Sequence, residues 1–238
     1  MSDRAPSPLC DPVLISIGVD HGFGERGSQL PVSTVFTDQV HGIASFDAGS
    51  DAAEHADRPK ADVVVTARPG QAVGIVTADC VPILVATKTG RAVGAIHAGW
   101  RGLAAGVIER GLAALRALDE AAADEELAAA IGPAARACCY EVDEPVRAGL
   151  EQRYSEHLDE FLKPGRPDRF QLDLPMFAGR ILAENGVEKH RIGTKHAICT
   201  ICSGARFESY RRDGTAAGRL QHFISPRPQR PEASAEEG

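Results

Sequence analysis

The feature that most restricts this chain is a block of four strand-length runs between residues 61 and 97 with only short gaps between them. They are ADVVVTA (61–67), VGIVT (73–77), VPILVAT (81–87) and AVGAIH (92–97), each rich in β-branched residues. Gly70 and the pair Thr89-Gly90 punctuate them as turns. Parallel neighbours need a crossover of about a dozen residues or more, so gaps this short predict antiparallel or mixed pairing. Beyond the block, Leu103, Val107, Ile108, Leu112, Leu115 and Leu118 recur at helical spacing and predict one helix over residues 103–118. Residues 127–131 read as a strand. Residues 142–154 and 174–185 read as helices, the second stopped by Gly186. Residues 197–201 and 221–224 read as closing strands. No repeat and no linker-like stretch divides the chain, which predicts one α+β domain over residues 13–224. The flanks, 1–12 and 225–238, are rich in Pro, Ser and charge and read as disordered tails.

With 238 residues, of which 43% are hydrophobic, the chain can bury a sizeable core without disulfide staples. Its net charge of -7 argues against a polymeric nucleic acid as partner. No run of about 18 apolar residues exists, so no membrane span is expected. The N-terminus lacks the apolar stretch of an export signal, which predicts a cytoplasmic, reducing environment. The six cysteines (Cys10, Cys80, Cys138, Cys139, Cys199, Cys202) are irregularly spaced and read as thiols.

Three segments break the apolar pattern with reactive side chains: Gln39-Val40-His41-Gly42, Asp79-Cys80-Val81-Pro82, and His97-Ala98-Gly99-Trp100-Arg101-Gly102. One thiol and two imidazoles can bind zinc and leave a fourth position open. The separations, 39 residues from His41 to Cys80 and 17 from Cys80 to His97, are too long for a zinc finger and suit ligands gathered from different strands. Spacing alone favours a hydrogen-bonding histidine at a strand end and a cysteine that merely fills core. Asp79 can relay protons or cap a turn. Arg101, entering a helix, can grip a phosphate or carry an ordinary surface charge. Trp100, the only tryptophan, can stack on a ring or pack at the core edge.

In order along the chain, ADCVPIL, IHAGWRGLAAGV, IGPAARACCYEV and SYRRDG…GR resemble the YfiH-type laccase-domain family. The resemblance runs from about His21 to Ile224. It implies a mixed β-sheet sandwich with flanking helices, similar in architecture to bacterial toxin deamidases that use a Cys–His pair. Members were first described as multicopper polyphenol oxidoreductases. Several were later described as zinc-dependent purine nucleoside phosphorylases with adenosine deaminase activity, and one branch as a peptidoglycan-editing factor. By resemblance His41, Cys80 and His97 are the metal ligands and catalytic residues, with Asp79 beside them. Arg26 of the His21-Gly22-Phe23 segment, Arg101 and Arg211 fall near the substrate and phosphate site. Two departures stand out. The segment between the HGF motif and QVHG is shortened to little more than residues 26–38, and Glu208 stands where relatives carry a Phe. His222 has no family role.

The resemblance implies a purine nucleoside and phosphate as small-molecule partners, zinc as cofactor, and phosphorolysis with adenosine deamination as the chemistry. A thiol hydrolase or amidase, with Cys80 as nucleophile and His97 as base, is the alternative. Copper phenol oxidation ranks below both. Eight His with no H-x-H pair, and two Met, do not supply a blue copper centre plus a trinuclear cluster.

Overall fold

The computed structural model describes residues 5–50, 58–118 and 126–228. Thirteen strands are described: β1 (Asp20–Phe23), β2 (Val35–Phe36), β3 (Ser45–Asp47), β4 (Val63–Thr66), β5 (Val73–Thr77), β6 (Val81–Thr87), β7 (Val93–Ala98), β8 (Leu127–Ile131), β9 (Glu141–Asp143), β10 (Leu162–Pro164), β11 (Arg169–Leu172), β12 (Ile192–Gly193) and β13 (Leu220–Ser225). The helices are α1 (Pro12–Ile17), α2 (Trp100–Ala105), α3 (Val107–Arg116), α4 (Glu144–Tyr154), α5 (Leu158–Phe161), α6 (Leu174–Glu184) and α7 (Tyr210–Asp213).

The four-run block holds as strands, but it does not form one meander. β4, β6 and β7 enter a six-stranded sheet ordered β12-β8-β6-β7-β4-β3. β5 leaves for a four-stranded sheet ordered β1-β13-β5-β2. Pairing is mixed, as the short gaps predict: β6 runs antiparallel to β7 and β8, while β3 is parallel to β4. The alternation of side chains along each strand separates two cores. Val81, Ile83 and Val85 of β6, with Ile96 and Ala98 of β7, face the helices α3, α4 and α6. Leu84 and Ala86, with Val93 and Ala95, face Val73 and Ile75 of the second sheet. The order is therefore sheet, sheet, helices, in agreement with the expected α+β sandwich.

Four expectations need correction. The helix over 103–118 is two helices, because Gly106 stands between them at φ 90° and donates its N–H back to Leu103 at 3.0 Å. An αL residue ends a helix, and glycine adopts that conformation without steric cost. The segment 197–201 is not a strand. It is a turn joined to Ala134 by a single bridge at Cys199, since neighbouring backbone turns away after one residue. The helix expected to begin at Val142 begins at Glu144, after β9. The N-terminal flank is hydrogen-bonded from Leu9 onward: Leu9 N donates to Phe23 O at 2.8 Å, and the buried Asp11 caps α1 by accepting from Val13 N at 3.0 Å. Residues 1–4 and 229–238 of the expected tails lie outside the described residues. Among the described residues no helix is long and apolar enough to cross a membrane.

Gly132 follows β8 and lies against the ring of the fully buried Phe23, which a Cβ at that position would approach to 2.2 Å. Overpacking of this kind costs about 1–3 kcal/mol. Gly132→Ala should lower unfolding free energy by about 2 kcal/mol in urea denaturation with little change in m-value.

Candidate metal centre and active site

Strand register explains how distant residues meet. Val63 pairs with Ile96, so Asp62 stands opposite His97, and His97 N donates to Asp62 O at 2.8 Å. Val81 pairs with Ala98, so the next pair outward is Cys80 and Gly99. Asp62, Cys80 and His97 share the alternation that points Val64, Leu84 and Ala95 between the two sheets. All three thus leave the strands at one end of the inter-sheet layer.

The fourth participant comes from a loop. His41 sits at φ 60°, an uncommon backbone region for a non-glycine residue. The Asp62 carboxylate holds that conformation. It accepts from His41 N (2.9 Å), Gly42 N (2.7 Å) and Val40 N (3.3 Å). The Gln39 side chain fixes the other side of the loop by exchanging two 2.7 Å bonds with Val76, as a neighbouring strand would. Asp62 is fully buried, yet its carboxyl titrates below the usual range: burial opposes ionisation, but the His97 hydrogen bond and the backbone N–H groups outweigh it.

Asp62 also binds His97 Nδ1 at 2.8 Å, which leaves His97 Nε2 free to face the cavity. His41 Nε2 lies 3.8 Å from Cys80 Sγ, and the two imidazoles meet edge to face at 4.8 Å. Donor atoms of His41, Cys80 and His97 all lie within 4.8 Å of one another. Zinc–sulfur bonds of about 2.3 Å and zinc–nitrogen bonds of about 2.0–2.1 Å at a tetrahedral angle separate N and S by about 3.6 Å. The donor set and its spacing fit such an ion. Burial would raise the Cys80 thiol, but the charge of His97 and hydrogen bonds from both imidazoles bring it to about 6. His97 goes the other way: burial lowers it, but the Cys80 charge and the Asp62 bond raise it to about 9. A Cβ on Gly99 would lie 2.9 Å from Cys80 Sγ and 3.0 Å from the His41 ring, so the centre closes only over glycine.

These groups open on a cavity of about 570 Å³ lined also by Arg101, Tyr140 and Arg211, with Arg58 and Arg219 at its wall. Arg101 stacks on Trp100 at 4.5 Å and has no carboxylate partner among the described residues. Arg211 lies over the Tyr140 ring at 4.9 Å and donates to Glu141 O at 2.6 Å. Burial pushes the Tyr140 hydroxyl up to about 12.

Other expected site residues have different tasks. Asp79 lines the cavity, but its carboxylate accepts from Thr200 Oγ1 (2.6 Å), Ser209 Oγ (3.0 Å) and Arg211 N (2.7 Å). A carboxylate so engaged is a poor proton relay; it fastens the chain before Cys80 to α7. Arg26 does not reach the cavity. It pairs with the unusual Glu208 at 3.1 Å and with Asp213 at 3.3 Å, which together hold it away. His21 is buried and accepts from Asp11 N at 2.8 Å, which makes its segment structural. His222 is buried between Thr77 Oγ1 (2.9 Å) and Gly24 N (3.3 Å), and burial holds it neutral with a pKa of about 3. Of the remaining cysteines in the C-terminal half, Cys138 and Cys202 are exposed, Cys139 is half-buried and Cys199 is buried.

Sequence reasoning missed Asp62 and Arg58, and gave no role to Gln39, Tyr140 and Arg219 although they stand in the quoted motifs. Asp62 had a visible signal: a charge opening the apolar run Asp62-Val63-Val64-Val65. Removing its carboxylate strands a buried imidazole and three backbone donors. Asp62→Ala should therefore cost about 3–5 kcal/mol in urea denaturation, whereas Asp38→Ala at the exposed cavity wall should stay within about 0.5 kcal/mol.

Known proteins resemble this chain over most of its length. Residues 25–227 match the family described as multi-copper polyphenol oxidoreductase laccase. The chain is 37% identical over 187 residues to a Pseudomonas aeruginosa protein named purine nucleoside phosphorylase PA4543, covering 79% of this chain and 72% of that one. It is 34% identical to the Escherichia coli purine nucleoside phosphorylase YfiH, covering 82% and 74%. Among solved structures, a Bacillus licheniformis hypothetical protein YfiH superposes with a TM-score of 0.72 at 28% identity, over 82% of this chain and 74% of that one. YlmD from Geobacillus stearothermophilus gives 0.71 at 30% identity, with the same shares covered. From the match over most of its length, this chain belongs to the multi-copper polyphenol oxidoreductase laccase family.

Proposed function

We propose that this chain is a cytoplasmic, zinc-dependent purine nucleoside phosphorylase, with residues 13–224 acting as one domain on adenosine, inosine or methylthioadenosine-type substrates. One observation carries the reading: His41, Cys80 and His97, braced by Asp62, converge at the mouth of a cavity walled by arginines. Relatives at 34–38% identity bear the name of that activity.

In phosphorolysis a phosphate oxygen attacks the anomeric carbon as the bond to the purine nitrogen breaks, giving ribose 1-phosphate and free base. Arg101 and Arg211 are placed to bind the phosphate, with Arg58 and Arg219 adding positive potential. The bound dianion then stabilises the cationic sugar. Tyr140 keeps its proton at neutral pH and is able to donate a hydrogen bond. Asp62 orients His97 and sets the loop of His41. His41, Cys80 and His97 would hold the zinc, which would supply a Lewis acid to the cavity. Arg26 takes no part. Adenosine deamination, also implied by the resemblance, needs a proton carrier other than Asp79.

A second reading has a specific observation behind it. In the absence of metal the Cys80 thiol titrates near 6 beside a His97 whose pKa is near 9, the charge pattern of a thiolate nucleophile with an imidazolium. Under that reading the enzyme is a thiol hydrolase or amidase, such as a peptidoglycan-editing factor.

Zinc should be one equivalent lower in Cys80→Ala than in the parent, and chelation should abolish turnover of adenosine plus phosphate to adenine. Inosine as sole product would instead indicate deamination, and hypoxanthine both steps. Activity that survives chelation and is lost to iodoacetamide supports the thiol enzyme and refutes the phosphorylase. Arg101→Ala should raise KM for phosphate by about 10–100-fold with a smaller effect on the nucleoside, while Arg26→Ala leaves phosphate KM unchanged. In chelated protein the alkylation rate of Cys80 should rise with pH around a midpoint of about 6, since only the thiolate reacts.

A further inference from the structure

Four cysteines with no part in the proposed reaction come together on another face. Cys138 and Cys139 lie in the turn after β8, and Cys199 and Cys202 in the turn that bridges to it. Two backbone bonds join the turns: Ala134 N to Ile198 O and Thr200 N to Ala134 O, each 3.1 Å. All four Sγ atoms lie within 4.8 Å of one another, and Cys138 Sγ is 3.9 Å from Cys202 Sγ. Tetrahedral metal–sulfur bonds of about 2.3 Å place neighbouring sulfurs about 3.8 Å apart. A disulfide would need about 2.05 Å, and all four are free thiols.

A guanidinium adjoins the four sulfurs. It belongs to Arg136 and is held by Asp173 (2.9 Å) and Ala197 O (3.2 Å). Cys138 and Cys202 reach solvent at the wall of a cavity of about 520 Å³, which leaves an ion a way in.

We propose that Cys138, Cys139, Cys199 and Cys202 form a second, structural site for a thiophilic cation, zinc, separate from the His41–Cys80–His97 centre. A closed four-sulfur set has no open position for substrate, which is the mark of a structural zinc. Binding displaces the thiol protons to solvent and changes no oxidation state. The clamp would tie together two pieces of the cavity's frame. Thr200, between the second pair of cysteines, holds Asp79, and Tyr140, next to the first pair, lines the cavity. The inference does not depend on the phosphorylase reading, and its test separates the two.

Full-length protein is purified under reductant, loaded with zinc, desalted, and assayed for metal and for thiols that react with a disulfide reagent. The parent should hold two zinc ions, Cys80→Ala one, and Cys199→Ser/Cys202→Ser one. In zinc-loaded Cys80→Ala, four thiols should be protected and should become reactive on chelation, with a fall in Tm. Should the double variant fail to fold, cobalt-loaded Cys80→Ala gives the same answer: intense sulfur-to-cobalt charge-transfer absorption is expected. Absence of zinc from Cys80→Ala, equal thiol reactivity with and without zinc, or a Cys138–Cys202 disulfide in the loaded protein would each overturn the proposal.

Discussion

The Asp62 carboxylate is the contact on which the centre depends. It is fully buried, and both its oxygens are used. One binds His97 Nδ1 and His41 N; the other binds Gly42 N and Val40 N. A buried charge is tolerable only when its partners are all in place. Here those partners are a strand-end imidazole and a loop that would otherwise have no reason to turn through φ 60° at His41. The same atoms that settle the desolvation of Asp62 also choose the tautomer of His97 and aim His41 Nε2 at Cys80. Fold stability and site geometry are therefore one constraint.

A second buried carboxylate does comparable work in the wall of the same cavity. Asp79 collects Thr200, Ser209 and the backbone of Arg211 from segments more than 100 residues away. Its own backbone is at φ 90°, so the turn before Cys80 is held from both ends. Arg211 reaches the cavity because Asp79 fixes the start of α7, while its neighbour Arg212 is turned inward to the carbonyls of Thr200 and Ile201. Adjacent arginines in one motif thus divide into one facing the cavity and one holding structure.

The family carries the description of a multicopper laccase, and the donor inventory bears on that. The described residues contain two groupings able to hold a metal: two histidines with one cysteine, and four cysteines. His21 and His222, which a count of histidines would offer as copper ligands, are buried in hydrogen bonds elsewhere. A trinuclear copper cluster needs many more imidazoles in one place than His41 and His97.

Local pattern determined much of this molecule without tertiary information. Apolar runs of strand length mark the strands at 73–77, 81–87 and 127–131 with their observed bounds, and the short motifs around His41, Cys80 and His97 mark, through the family they resemble, the residues that meet. What the chain alone left open was long-range partnership. Nothing in VGIVT says that β5 abandons its sequence neighbours for the second sheet, because that choice depends on β13, about 145 residues later. Nothing in the Gly24-Glu25-Arg26-Gly27 segment says that Glu208 and Asp213 will claim Arg26. Nothing near Asp79 announces three donors from the C-terminal third. A side chain's reactivity is set by which groups desolvate and bond it. Hydrophobic periodicity, being a property of neighbours along the chain, specifies which face is buried; only the packing of the sheets decides which polar groups meet there.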